Sequence, residues 1–244
     1  MVLLYSVVIF LNKKRKLALF FIFSIVDIIL LIVFLVVRDA TIYNDLESEV
    51  SRLSKIDYLT EKCNPSIRSR GGYAVLEKSF KNYINNYYDD YHDILILIND
   101  DKFKSILSYD NYSNDGPLFD FSIDYLNSVK NDFNNNIDNL IKMSSRKSIS
   151  SYLYSKTSDS YFIKVADDLF LQDEVIAVFN RDKLVLIDIK DKVNKIIDNS
   201  LAVLSFLSTT SDYWILEDGE IKFVNQDLVI QYNNLVNDIP KQGN

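Results

Sequence analysis

Leu17-Ala-Leu-Phe-Phe-Ile-Phe-Ser-Ile-Val-Asp27-Ile-Ile-Leu-Leu-Ile-Val-Phe-Leu-Val-Val37 is the stretch that decides how this chain is built. It contains neither Gly nor Pro. As a helix rising 1.5 Å per residue it spans about 30 Å, the thickness of a bilayer's hydrocarbon core. A soluble helix of this length is rarely apolar on every face. A signal peptide has a shorter apolar region closed by a small-residue cleavage site. Here the run ends in Arg38, and Asp39-Ala40 imitates such a site poorly. Residues 17–37 therefore read as an uncleaved transmembrane anchor.

Asp27 lies at the midpoint of this run. An ionisable group there costs roughly 3 kcal/mol to insert, and such groups usually have a partner. Ser24 and Leu31 share its face at helical spacing, with Phe20, Phe23 and Phe34 on the flanks. Asp27 and Ser24 are the expected intramembrane contact with a partner helix or a second copy. The alternative is a protonated passenger in a span apolar enough to carry it.

Lys13-Lys14-Arg15-Lys16 precedes the run and only Arg38 follows at once. The positive-inside rule then keeps residues 1–16 as a short cytoplasmic tail and puts everything after the anchor outside the cytoplasm. Residues 1–11 are apolar but too short to span. They read as an interfacial segment or, with a slight preference, as sequence upstream of the true start. Beyond Arg38 the net charge is −11, since 22 of the 27 basic and 33 of the 34 acidic residues lie there. Such a surface repels phosphate, which argues against nucleic acid as a partner.

Hydrophobic residues make up 48% and aromatics 13% of the chain, enough for the outer segment to bury its own core. Five Gly and three Pro are too few for the turns of a sheet protein, so long helices are expected. The richness in Asn, Ile, Lys, Asp and Tyr points to an AT-rich bacterial genome. Cys63 is alone, which excludes an internal disulfide.

The expected fold is mainly α: the anchor, then an extracytoplasmic helical bundle with one β-hairpin at 212–225. Ile42, Leu46, Val50, Leu53, Ile56 and Leu59 predict a helical stalk over 38–62, continuous with the anchor. Cys63-Asn64-Pro65 ends it, and 63–72 reads as a flexible connector before a helical domain over 73–244. Phe80, Tyr87 and Ile94 repeat by seven in a helix over 73–98. A short helix at 102–108, a turn-rich loop at 109–117 and a helix to about Ser144 follow. A connector or short helix at 145–158, a helix broken near Gln172, and a long helix over 182–208 come next. Trp214–Glu217 and Glu220–Phe223 flank Asp218-Gly219, the residue pair of a type I′ turn. Trp214 and Phe223 are the expected packing anchors of this hairpin, and a closing helix runs over about 228–239.

Little chemistry is legible. His92, the single histidine, falls between Asp89 and Asp93 on the face opposite the core stripe. Nothing supplies a nucleophile or oxyanion donors beside it. One His and one Cys exclude the usual zinc spacings. Asn111–Gly116 imitates a calcium loop, but its first and twelfth positions, Asn111 and Ser122, are wrong. No catalytic residue, cofactor site or metal site is expected. The reading is a non-enzymatic, single-pass cell-membrane protein whose outer domain binds another protein or itself. An envelope or secretion accessory and an immunity-type protein both fit. A tethered small-ligand sensor is the alternative, and an envelope enzyme ranks below it.

Overall fold

From Lys13 to Leu53 the backbone is one unbroken helix, α1, in a computed structural model that describes residues 13–239, with side chains from Phe20 onward. The readings of residues 1–11 and of the Lys13–Lys16 side chains lie outside the described residues. From Phe20 to Phe34, α1 has no protein packed against it. Its most apolar 18-residue window has mean hydropathy 3.2 and is 0% buried. A helix of that length and composition can cross a membrane, a property that signal sequences share.

The second half of α1 is packed. Leu46, Val50 and Leu53 are buried in the same core as the rest of the chain, with Ile42 and Tyr43 at its edge. The expected stalk thus departs from the structure in two ways. The helix stops at Leu53, where Ser54 turns its hydroxyl back onto Ser51 O and Asp57 accepts from Leu59 N. Ile56, Tyr58 and Leu59 then enter the core from turns rather than from a helix. Residues 42–63 are core, because burying their apolar side chains removes more surface from water than a free stalk could.

Helix α2 (Gly71–Ile98) carries the heptad stripe. Phe80, Ile84, Tyr87 and Ile94 are fully buried. A buried tyrosine needs a partner for its hydroxyl, and three on this helix find one: Tyr73 donates to Asp39 Oδ2 at 3.0 Å, Tyr83 to Met143 O at 2.6 Å, and Tyr87 pairs with Ser144 Oγ at 2.8 Å. Helices α3 (Asp101–Lys104), α4 (Tyr109–Asp115), α5 (Asp120–Met143), α6 (Arg146–Tyr154), α7 (Ser160–Phe170), α8 (Asp173–Thr209) and α9 (Gln226–Asn237) follow, with one 3-10 turn at Ser211–Tyr213. Side-chain caps set several of their starts: Asp100, Ser108, Ser145, Asp159 and Asn225 each accept from a backbone N–H of the first turn. The Ser108 cap explains why the expected loop at 109–117 contains a helix. The break near Gln172 is present, but residues 173–180 join α8, since Val175, Val178 and Phe179 extend the buried stripe of Leu186.

Helix α8 lies along α5 and α9, while α2 packs on α5, α6 and α7, and α1 touches α2, α7 and α8. The described residues are mainly helical. The one sheet among the described residues is the antiparallel pair β1 (Trp214–Glu217) and β2 (Glu220–Phe223), with Trp214 opposite Phe223. Asp218 and Gly219 turn between them at φ 54° and 81°, the left-handed pair that a two-residue hairpin needs. Trp214 is 8% exposed, lies over Phe119 and donates from Nε1 to Leu207 O at 2.7 Å. Phe223, half-buried, packs between Phe206 and Tyr232.

Trp214 is therefore expected to hold the hairpin on the helices. Trp214→Ala should cost about 3–5 kcal/mol, as large aromatic truncations do, read as a lower unfolding midpoint in denaturant. Trp214→Phe, which keeps a ring but loses the bond to Leu207, should cost less. An unchanged midpoint for Trp214→Ala would make the hairpin a surface flap.

Candidate functional site

An ammonium almost sealed from solvent sits where α1, α2 and the run 63–70 meet. The Lys81 side chain is 2% exposed. Its three N–H bonds meet three acceptors: Glu49 Oε1 at 2.7 Å, Glu77 Oε1 at 2.7 Å and Ser66 O at 2.6 Å. The carboxylates are satisfied in turn. Glu77 accepts from Arg68 N and Ser69 N. Glu49 takes both arms of the Arg52 guanidinium at 2.8 and 3.0 Å, with Arg68 at 3.4 Å. Arg52's hydrogen bonds, joined by those of Lys81, outweigh burial and hold the Glu49 carboxyl at about 2. Burial pushes Glu77 up, but Lys81 and the two backbone donors bring it below its usual value.

This cluster overturns the reading of 63–72 as a flexible connector. Arg68, Ser69 and Ser66 are bonded into it. Cys63 is enclosed, with its thiol on Lys81 O and Asn85 Oδ1. Gly72 packs so closely on Phe162 that an added Cβ would fall 2.2 Å from the ring. The one signal in the sequence was Glu77 preceding Lys81 by a helical turn. Glu49, on another helix, could not be assigned to them without the fold.

A second constellation lies just beyond the apolar run. Asp39 Oδ2 accepts from Tyr73 at 3.0 Å and from Tyr161 at 3.1 Å, and the two hydroxyls are 2.5 Å apart. Tyr73 also meets Tyr43, Tyr161 and Phe162 edge to face. Burial, then the bonds to Tyr161 and Asp39, pushes the Tyr73 hydroxyl well above its ordinary value. A groove here is lined by Leu35, Val36, Ala40, Tyr43 and Tyr161.

A third polar group lies in the core. Asp182 takes Arg181 on Oδ1 while its Oδ2, like the Tyr58 hydroxyl, has no partner among the described residues. Burial raises the Asp182 carboxyl against the pull of Arg181, so its ionised form opposes folding at neutral pH.

The hairpin has two unlike faces. Inward are Trp214 and Phe223. Outward, Tyr213, Ile215 and Val224 are 53, 59 and 66% exposed. Val224 N donates to Tyr213 O, and Ile215 faces Lys222, so the three apolar side chains are neighbours. Lys222 is held by Glu217 and Asp218. Leu118 and Phe121, also exposed, flank the Phe119 that meets Trp214.

The other residues singled out from the sequence do not come together. Asp27 is exposed on α1 and forms no ion pair among the described residues, with Ser24 one turn before it. His92 is partly exposed and stacks on Tyr88. In the calcium-like segment, Asp115 accepts from Ser122 N and Asn111 bonds Ile106 O and Ser122, so these oxygens and amides fasten α4 to α5. Among the described residues no three His, Cys, Asp or Glu side chains are grouped to hold a metal.

The Lys81 cluster makes a pH prediction. Glu49 has a folded value of about 2 against an ordinary 4.5. Its stabilisation, about 3 kcal/mol by linkage, is complete above about pH 5 and lost as pH falls toward 2. Unfolding free energy measured against pH should show that loss, and Glu49→Gln should flatten it. Lys81→Met, which strands two buried carboxylates, should cost about 3–5 kcal/mol at pH 7. A flat acid limb in the wild-type protein would show that the cluster is open to water.

No family model, curated protein or solved structure matches the chain.

Proposed function

We propose that this is a non-enzymatic, single-pass membrane protein whose outer domain, a helical bundle with one hairpin, binds another protein outside the cytoplasm. Residues 17–37 are the anchor and the basic cluster at 13–16 keeps the tail inside. The bare half of α1 supports anchoring. A fully exposed apolar helix is an aggregation hazard in water and is solvated in lipid.

The observation that carries the binding reading is the outer face of the hairpin. Tyr213, Ile215 and Val224 stay in water although the strands beneath them are fixed by Trp214 and Phe223. A rigid apolar patch loses little freedom on association. Glu217, Asp218 and Glu220 border it together with Lys222, which pairs with the first two, on a domain of net charge −11, so the fitting partner presents an apolar centre and a basic surface beyond it. The proposed partner is an envelope or secretion component, or a secreted toxin met by its immunity protein. Asp27 and Ser24 supply a second contact, within the bilayer.

Ile215→Asp with Val224→Asp tests the patch. Both side chains are exposed, so the helical circular dichroism should stay unchanged. Co-purification of the stoichiometric partner from membranes should be lost. Retention of the partner at wild-type stoichiometry would refute the hairpin as the binding face. In Asp27→Leu, insertion should persist while assembly weakens by about 1–2 kcal/mol, roughly 5- to 30-fold. Unchanged assembly in detergent would make Asp27 a passenger.

A further inference from the structure

We infer that the base of the outer domain, the first turn of α7 with Tyr161 beside Tyr43 of α1, rests in the lipid headgroup layer. This inference depends on residues 17–37 being the membrane span.

The apolar run of α1 ends at Val37, and Asp39 lies about 3 Å further along the helix axis. Asp39 is bonded to both Tyr73 and Tyr161, so the domain is fastened at the exit of the span and not at the end of a free stalk. The Lys81 cluster and the burial of Leu46, Val50 and Leu53 fasten α1 a second time, further up. Two attachments on one rigid helix leave the domain no room to swing away.

Tyr161 is 47% exposed, and its ring lines one groove with Leu35 and Val36, which belong to the apolar run itself. Its hydroxyl is held on the polar side by Asp39. A ring turned to the apolar side with its hydroxyl on the wet side is how tyrosine sits at a membrane interface. The groove continues the bare surface of α1, so the lipid that covers one covers the other. The exposed charges nearby are mixed, with Arg38, Arg70 and Lys164 against Asp159 and against Glu47 and Asp168, which act on Tyr43. The contact therefore rests on the aromatic groups and does not require anionic lipid.

This seat fixes the orientation of the hairpin. Tyr125, in the first turns of α5, bonds Asp100 just past the end of α2, and Phe119 just before α5 meets Trp214. Tyr73, at the start of α2, is in the base. The hairpin thus lies at the opposite end of α2, about 40 Å along that helix.

The test uses the full chain in phosphatidylcholine nanodiscs, with a cysteine introduced singly at Ser160, Phe34 or Ile215 and labelled with an environment-sensitive fluorophore. Cys63 is buried and stays in place, with the unsubstituted protein as labelling control. Spin-labelled lipids are the quenchers. Headgroup-labelled lipid should quench the Ser160 probe, acyl-labelled lipid should quench the Phe34 probe, and neither should quench the Ile215 probe. Quenching at Phe34 without quenching at Ser160 overturns this inference and leaves the anchor standing. A blue-shifted Ser160 probe that lipid does not quench also overturns it, because protein then covers the base. No quenching at Phe34 removes the anchor reading and this one with it.

Discussion

The architecture depends on one buried ammonium. Lys81 reaches from α2 to Glu49 on α1, to Glu77 on its own helix and to the carbonyl of Ser66 in the connecting run. A charge this enclosed is tolerable only when every donor is satisfied. Its three N–H bonds leave no freedom in how α1, α2 and residues 66–69 are placed. A buried pair of this kind contributes little net stability compared with an apolar replacement, but it penalises every arrangement that leaves one member unpaired. The order of the connector and its seat against α2 arise from that penalty.

Because α1 is fastened there and again at Asp39, a single helix has two unlike stretches. From Phe20 to Phe34 it presents mostly apolar side chains with no protein packed on them. Its second half presents a stripe, Ile42, Leu46, Val50 and Leu53, that faces the core. The change occurs within about two turns, at the point where Asp39, Tyr73 and Tyr161 share protons. Polar groups that bond one another can occupy such a boundary, whereas an unpaired carboxylate there would draw the chain away from it. A continuous helix leaves no hinge between the apolar run and the packed half.

Periodicity in the sequence was a good guide wherever a helix buries one face. The stripe of α2, the run of α5 and the closing α9 lie within a few residues of their expected positions, since one apolar stripe specifies one helix. The Asp218-Gly219 turn was legible for a different reason: few residue pairs accept two left-handed conformations in succession. Boundaries set by side-chain caps were harder. Ser108 starting α4 depends on one hydroxyl meeting one amide, and Ser, Asp and Asn are too frequent here for each to be read as a cap. The candidate sites were less legible still. Trp214 was recognisable as an anchor by its size, but Tyr213 and Val224 become neighbours of Ile215 only when the strands pair.

The sequence by itself determined the long apolar helix, the helical character of the residues beyond it, the hairpin and the acidic surface, because each depends on composition or on spacing within one segment. Only the tertiary structure decided that Leu46 to Cys63 supply core side chains, that Ser66, Arg68 and Ser69 bond the Lys81 cluster, and that Lys81 joins Glu49 to Glu77. The same holds for Asp39 gathering Tyr73 and Tyr161, and for the two faces of the hairpin. Those facts are contacts between segments far apart in the chain, and the cost of an unpaired buried group arises only once packing has excluded water from both partners.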